Sequence, residues 1–189
     1  NDYTPYELRV VSSFVRLGAR GRAQELLRFF FRDQRPQGWN QWAEVVGREP
    51  REPRFIGDMP HAWIASDYIR SALDLFAYAR PAAQQLVLAA GVPAGWFEQN
   101  GVAVERLRTP YGPLSYSARR QGKSLVFDVK SPAPPGGFAL PWPGDGEPGR
   151  ALINGKELAW QGNELKFSTS PARIVLQPQV GEARARAKD

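Results

Sequence analysis

A carboxylate flanked by two indoles stands in the run Gly38-Trp39-Asn40-Gln41-Trp42-Ala43-Glu44, and a second, Asp58, lies three residues before the only histidine, His61. Flat aromatic faces suit the C–H surfaces of a sugar ring, while amide and carboxylate groups suit its hydroxyls. Trp39 and Trp42 are therefore candidate platforms, and Asn40, Gln41, Asp58 and His61 candidate hydroxyl partners. Glu44 is the candidate general base, since hydrolysis of a glycosidic bond works with one carboxyl group as acid and another as base or nucleophile. On a helical turn Trp39 and Trp42 would share one face, with Glu44 off it. Plainer roles compete. The indoles could pack the loop down, Glu44 could be solvated or pair with Arg48, Asp58 could cap the helix that follows, and His61 could be satisfied by Asp58 or by backbone.

Other chemistries find less support. One histidine rules out a histidine-based metal cluster, and Asp58 with His61 alone makes too few ligands, so the expectation is no metal and no cofactor. With no cysteine there is neither a disulfide framework nor thiolate chemistry. Ser12, Ser66 and Ser71 lack a nucleophile elbow, and the glycines form no phosphate loop. Asp67 and Arg70 read as a structural ion pair.

The formal charge of +6 rests on 20 Arg and 5 Lys against 19 acids. The arginines are scattered rather than gathered in a stripe, and the tightest basic group, Arg184, Arg186 and Lys188, shares its tail with Glu182 and Asp189. Nucleic acid is not an expected partner, because capture of phosphates needs clustered charge. No apolar run has the length of a membrane span. The compartment stays open, with periplasmic or secreted ahead of cytoplasmic.

These residues need elements to hold them, and the chain changes grammar near residue 80. Thr4-Pro5-Tyr6-Glu7 offers an N-cap, a proline at the first helical position and an acid at the third. Leu8, Val11, Phe14, Val15 and Leu17 follow at helical spacing, and a second helix is expected from Gly21 to Arg32 after the break at Gly18. Residues 34–60 form a long connection rich in Pro and Gly, of the kind that is functional or disordered; Trp39, Trp42 and Phe55 argue for order. The third helix is expected from about Pro60 to Tyr78. It is apolar over more than half its girth through Trp63, Ile64, Tyr68, Ile69, Leu73, Leu75, Phe76 and Tyr78, and such a helix is normally covered on several sides.

From Gln85 the period falls towards two. Leu86-Val87-Leu88, Val102 to Leu107, Leu114-Tyr116-Ala118, Leu125-Phe127-Val129, Leu165-Phe167 and Ile174-Val175-Leu176 read as strands. Asn154-Gly155 is the favoured two-residue hairpin turn. Trp96, Trp142 and Trp160 could form a sugar-binding face or pack between layers. The fold class is therefore α+β, a helical segment over residues 1–82 followed by an antiparallel β-sandwich over 83–178 and a tail at 179–189.

In this order the two halves resemble the end of an (α/α)6-barrel glycoside hydrolase and its C-terminal β-sandwich, nearest to the α-L-rhamnosidase type and related six-hairpin glycosidases. The match runs through Gly38 to Val46, then PRFIGDMPHAWIASDYIRSALDLFAY, then GVAVERLRTPYGPLSYSARRQGKSLVFDV with its turn at Thr109 to Pro113. It implies that Glu44 lies where the family keeps its catalytic base, and that the general acid comes from an upstream barrel segment. It also implies an oligo- or polysaccharide partner, and cover for the helices from the upstream part of the same enzyme or from another chain. The chain starts at Asn1 and its one methionine is Met59, from which we expect a piece of a longer protein, inactive by itself.

Overall fold

The structure is a computed structural model, and it describes residues 3–34, 38–47, 58–144 and 146–179. Part of the expected loop at 34–60, including Arg48 and Phe55, and the tail from residue 180 lie outside the described residues. The chain is mixed α+β and divides into two units, Asn1–Tyr78 with Ala89–Pro93, and Ala79–Leu88 with Ala94–Asp189.

In the first unit the Thr4 hydroxyl accepts a hydrogen bond from the Tyr6 amide ahead of a 3-10 turn, Pro5–Leu8, which opens directly into α1, Arg9–Arg16. Leu8, Val11 and Val15 are fully buried along it. The chain reverses at Gly18, whose φ of +74° suits a residue without Cβ. Helix α2, Arg20–Arg32, buries Ala23, Leu27 and Phe30 at helical spacing. Helix α3 runs Ala62–Phe76, and α1 packs against both α2 and α3. Residues 89–93 close this unit: Gln24 Nε2 donates to the Gly91 carbonyl at 2.9 Å, and a Cβ on Gly91 would stand 2.8 Å from the Leu75 Cα.

The girth of α3 is covered on one side. Ile64, Ser71, Asp74 and Leu75 are buried, whereas Trp63, Ile69 and Leu73 are 71%, 56% and 43% exposed. The helix also stops two residues earlier than its apolar pattern suggests. Ala77 is already extended at φ −161°, ψ 144°, and strand β1, Ala77–Arg80, starts there. No helix among the described residues is long and apolar enough to cross a membrane.

The second unit is built on two sheets. The larger has six antiparallel strands: β3 (Val102–Thr109), β4 (Gly112–Gln121), β5 (Ser124–Val129), β10 (Ala172–Leu176), β7 (Ala151–Ile153) and β8 (Lys156–Glu157), in that order. The alternation read in the sequence is its inward face: Leu114, Tyr116 and Ala118 are buried on β4, and Ala172, Ile174 and Leu176 on β10. Asn154 and Gly155, at φ 49° and 81°, make the turn between β7 and β8.

The smaller sheet runs β1, β2 (Gln85–Leu88), β6 (Phe138–Pro141), β9 (Glu164–Phe167). Here the all-antiparallel expectation needs correcting, because β2 and β6 pair in parallel, Leu86 with Phe138 and Val87 with Ala139. Parallel neighbours need a long crossover, and residues 89–137 supply one. Strands in parallel pairs tend to be buried on both faces, and all four residues of β2 are buried, as are Phe138, Ala139 and Leu140. Trp142 is buried and meets Trp160 edge-on at 5.6 Å, so these two indoles pack together.

Candidate functional site around His61

Two stretches of irregular chain build the site. Residues 38–47 are tied to the N-terminus by reciprocal bonds between Tyr3 and Val46, at 3.0 and 2.8 Å, and by the Thr4 hydroxyl, which donates to the Glu44 carbonyl at 2.8 Å. Residues 58–61 lie alongside, with the Glu44 amide donating to the Asp58 carbonyl at 3.4 Å and the His61 amide to the Trp42 carbonyl at 3.3 Å. His61 is the N-cap position of α3, and no side chain caps that helix. Asp58 is thus not the helix cap that its place in the sequence allowed.

These backbone links bring three of the sequence candidates together. One ligand atom each from Glu44, Asp58 and His61 lies within 4.8 Å of the others. His61 is 11% exposed and Asp58 77%, with His61 Nδ1 3.4 Å from Asp58 Oδ2. At that position Nδ1 is buried and makes no hydrogen bond. The other ring nitrogen, Nε2, is 2.5 Å from the Tyr6 hydroxyl, and the two rings meet edge to face at 5.4 Å.

Tyr6 is a member of the site that the sequence showed only as part of a helix start. Partial burial raises its phenol above the ordinary value, and the nearby Glu44 carboxylate adds to the rise; Arg9 opposes it, while Asp67 and Asp58 push the same way. The Arg9 guanidinium lies over the Tyr6 ring at 5.0 Å and pairs with Asp67 at 2.8 Å. The expected Asp67–Arg70 pair is therefore replaced by a pair to α1. Trp63, read as a buried helix position, stands exposed with its ring 6.4 Å from both His61 and Tyr6.

The two loop tryptophans part company. Residues 38–42 are not helical, and Asn40 has a φ of +53°, so Trp39 and Trp42 do not share a face. Trp39 is 58% exposed and Asn40 is exposed. Trp42 is buried, its Nε1 donates to the Phe30 carbonyl at 3.1 Å, and Phe31 and Tyr68 pack on its ring at 5.9 and 5.3 Å. Neither ring face is left for a sugar, which removes Trp42 from the substrate-binding set. Among the described residues, no hydrogen bond or ring contact joins Trp39 or Asn40 to the Glu44–Asp58–His61 group.

The chemistry open to the group follows from its spacing. A glycosidase pair keeps its carboxyl groups roughly 5–9.5 Å apart on two sides of the bond to be cut. Glu44 and Asp58 offer oxygens within 4.8 Å of each other, one acidic focus suited to hydroxyls or to a cation.

No protein-family model matches the chain, and neither curated proteins nor solved structures gave a match.

Proposed function

We propose that the chain is the saccharide-contacting C-terminal part of a glycoside hydrolase of the six-hairpin kind, with a late substrate loop in the first unit and an accessory β-domain in the second. The reading rests on one observation: Glu44, Asp58 and His61 converge beside the exposed ring of Trp63. An open indole face next to fixed oxygen and nitrogen groups is what a pyranose needs from a protein. Trp63 takes the platform role first given to Trp42, and Glu44 remains the candidate base.

In this reading the general acid comes from a further polypeptide segment, which also covers Ile69 and Leu73 on α3. Isolated chain then binds oligosaccharide weakly and does not cleave it. The test is binding of a panel of oligosaccharides, rhamnose-containing ones included, to the full chain with a chelator present. Trp63→Ala should abolish the binding. A panel without a binder, or a binder indifferent to Trp63→Ala, would sink the proposal.

A second reading, a carbohydrate-binding module without catalysis, draws support from the closeness of the two carboxylates. Supplying the covering segment separates the two. Turnover that is lost in Glu44→Gln identifies an enzyme, and binding without turnover identifies a module.

A further inference from the structure

We propose that Glu44, Asp58 and His61 form a site for one divalent metal ion of the zinc class, with the Tyr6 hydroxyl fixing the histidine ligand from behind. The sequence alone counted two ligands here and dismissed them; the fold adds Glu44 as the third.

The spacing fits an ion. A tetrahedral ion with bonds of about 2.1 Å holds neighbouring ligand atoms about 3.4 Å apart, the distance between His61 Nδ1 and Asp58 Oδ2. The third ligand atom, on Glu44, lies within 4.8 Å of both.

The histidine carries the argument further. A metal-bound imidazole keeps its other nitrogen on a second group that fixes the ring and its tautomer. Tyr6 is such a group on Nε2, 2.5 Å away. Nδ1 is buried 3.4 Å from Asp58 Oδ2 and makes no hydrogen bond, so it is the polar atom of the group left without a hydrogen-bond partner.

Access and selectivity follow from the same residues. His61, 11% exposed, forms the enclosed side of the site, and Asp58, 77% exposed, stands at the solvent side as an entry path. An imidazole among the donors favours zinc-like ions over calcium and magnesium, which take all-oxygen shells.

The inference shares its three residues with the saccharide reading but does not rest on it, and its test uses metal alone. Full chain stripped with chelator and exchanged into chelator-free buffer is titrated with Zn2+ by calorimetry. One equivalent should bind, and each of Glu44→Gln, Asp58→Asn and His61→Gln should weaken binding at least tenfold. Tyr6→Phe should weaken it by roughly tenfold, the usual cost of losing an outer-shell partner. Glu25→Gln, in an exposed pair on α2, should change nothing. Absence of binding, or binding indifferent to both Glu44→Gln and Asp58→Asn, overturns the site. Should His61→Gln fail to fold, Asp58→Asn decides, because that side chain is mostly in water. Metal failing while oligosaccharide still binds in chelator overturns this site only, and the reverse outcome overturns only the saccharide reading.

Discussion

Helix α3 carries a polar cluster at each end, and the two are built on opposite principles. Near its C-terminal end Asp74 is 7% exposed, and a hydroxyl and a guanidinium answer its charge. The Ser12 hydroxyl donates to it, and the Arg16 guanidinium lies 2.9 Å away, itself stacked on the Tyr78 ring at 4.6 Å. At the N-terminal end His61 faces two carboxylates with a ring nitrogen that makes no hydrogen bond. The first cluster is closed and complementary, and its loss costs stability. The second gathers like charges and an unmet polar atom, which costs stability in the folded chain and has its return in a ligand. Glu44, Asp58 and His61 stood out in the sequence and Asp74 did not; the partners are what separate the two ends.

The largest effect is expected where a packed group is mistaken for a binding group. Trp42→Ala should destabilise the first unit by about 3–5 kcal/mol, as for other large aromatic truncations in a core, whereas Trp39→Ala should stay within about 0.5 kcal/mol. Amide hydrogen exchange on α1 and α2 reads both. Equal effects of the two would mean that the inward and outward assignments of the loop are wrong. Next comes the closed cluster. Asp74→Ala takes away the acceptor of the Ser12 hydroxyl and the carboxylate paired with Arg16, and should cost about 2–3 kcal/mol. A loss below about 0.5 kcal/mol would erase the contrast between the two ends of α3.

What could be read from the sequence follows the distance over which each feature is decided. The Asn154-Gly155 turn is settled by two residues, and both adopt the positive φ that the pair suggests. The α1–α2 reversal at Gly18 is equally local. Helix α3 ended early because Ala77 follows strand geometry, and the apolar pattern through Tyr78 carries no stop signal. The parallel pairing of β2 with β6 joins residues about 50 apart, beyond any hairpin rule. At the site, Glu44, Asp58 and His61 stood out singly by type. Their convergence needed the backbone bonds from Glu44 to Asp58 and from His61 to Trp42, and Tyr6 is 55 residues from His61. The inward turn of Trp42 was illegible for a subtler reason: the left-handed backbone of Asn40 breaks the helical spacing on which the two indoles would have aligned.

An ion pair in the second unit extends the comparison to a titration. Arg80 meets Glu164 with two hydrogen bonds, at 2.8 and 2.5 Å, across the smaller sheet. The hydrogen bonds from Arg80 hold the Glu164 carboxyl below the usual glutamate range, partial burial opposes this, and the charges of Arg80 and Lys166 assist it. A depressed folded-state value gives stability that is present above the unfolded-state pKa and is lost as pH falls through the folded one. Arg80→Met should therefore lower the stability of the second unit by about 1 kcal/mol near neutrality. The difference from the parent chain should close as pH drops through the acid range. A difference that holds constant down to acid unfolding would assign the loss to packing of the arginine stem.

The smallest effect has the opposite sign and bears hardest on the comparison. Glu44→Gln removes one of the two carboxylates that crowd His61 and keeps the shape of the side chain. Its backbone carbonyl still accepts from Thr4, and its amide still donates to the Asp58 carbonyl, so the loop keeps its ties. Relief of like charge at a functional site commonly adds stability, and for a half-buried group we expect a gain of a few tenths to about 1 kcal/mol in metal-free buffer. The same substitution should erase the thermal stabilisation that Zn2+ gives the parent chain, since a ligand stabilises only the state that binds it. One substitution would then raise stability and remove a ligand response, the reverse of Asp74→Ala. A loss of 1 kcal/mol or more would instead make Glu44 a structural acid, and the two ends of α3 would no longer differ in kind.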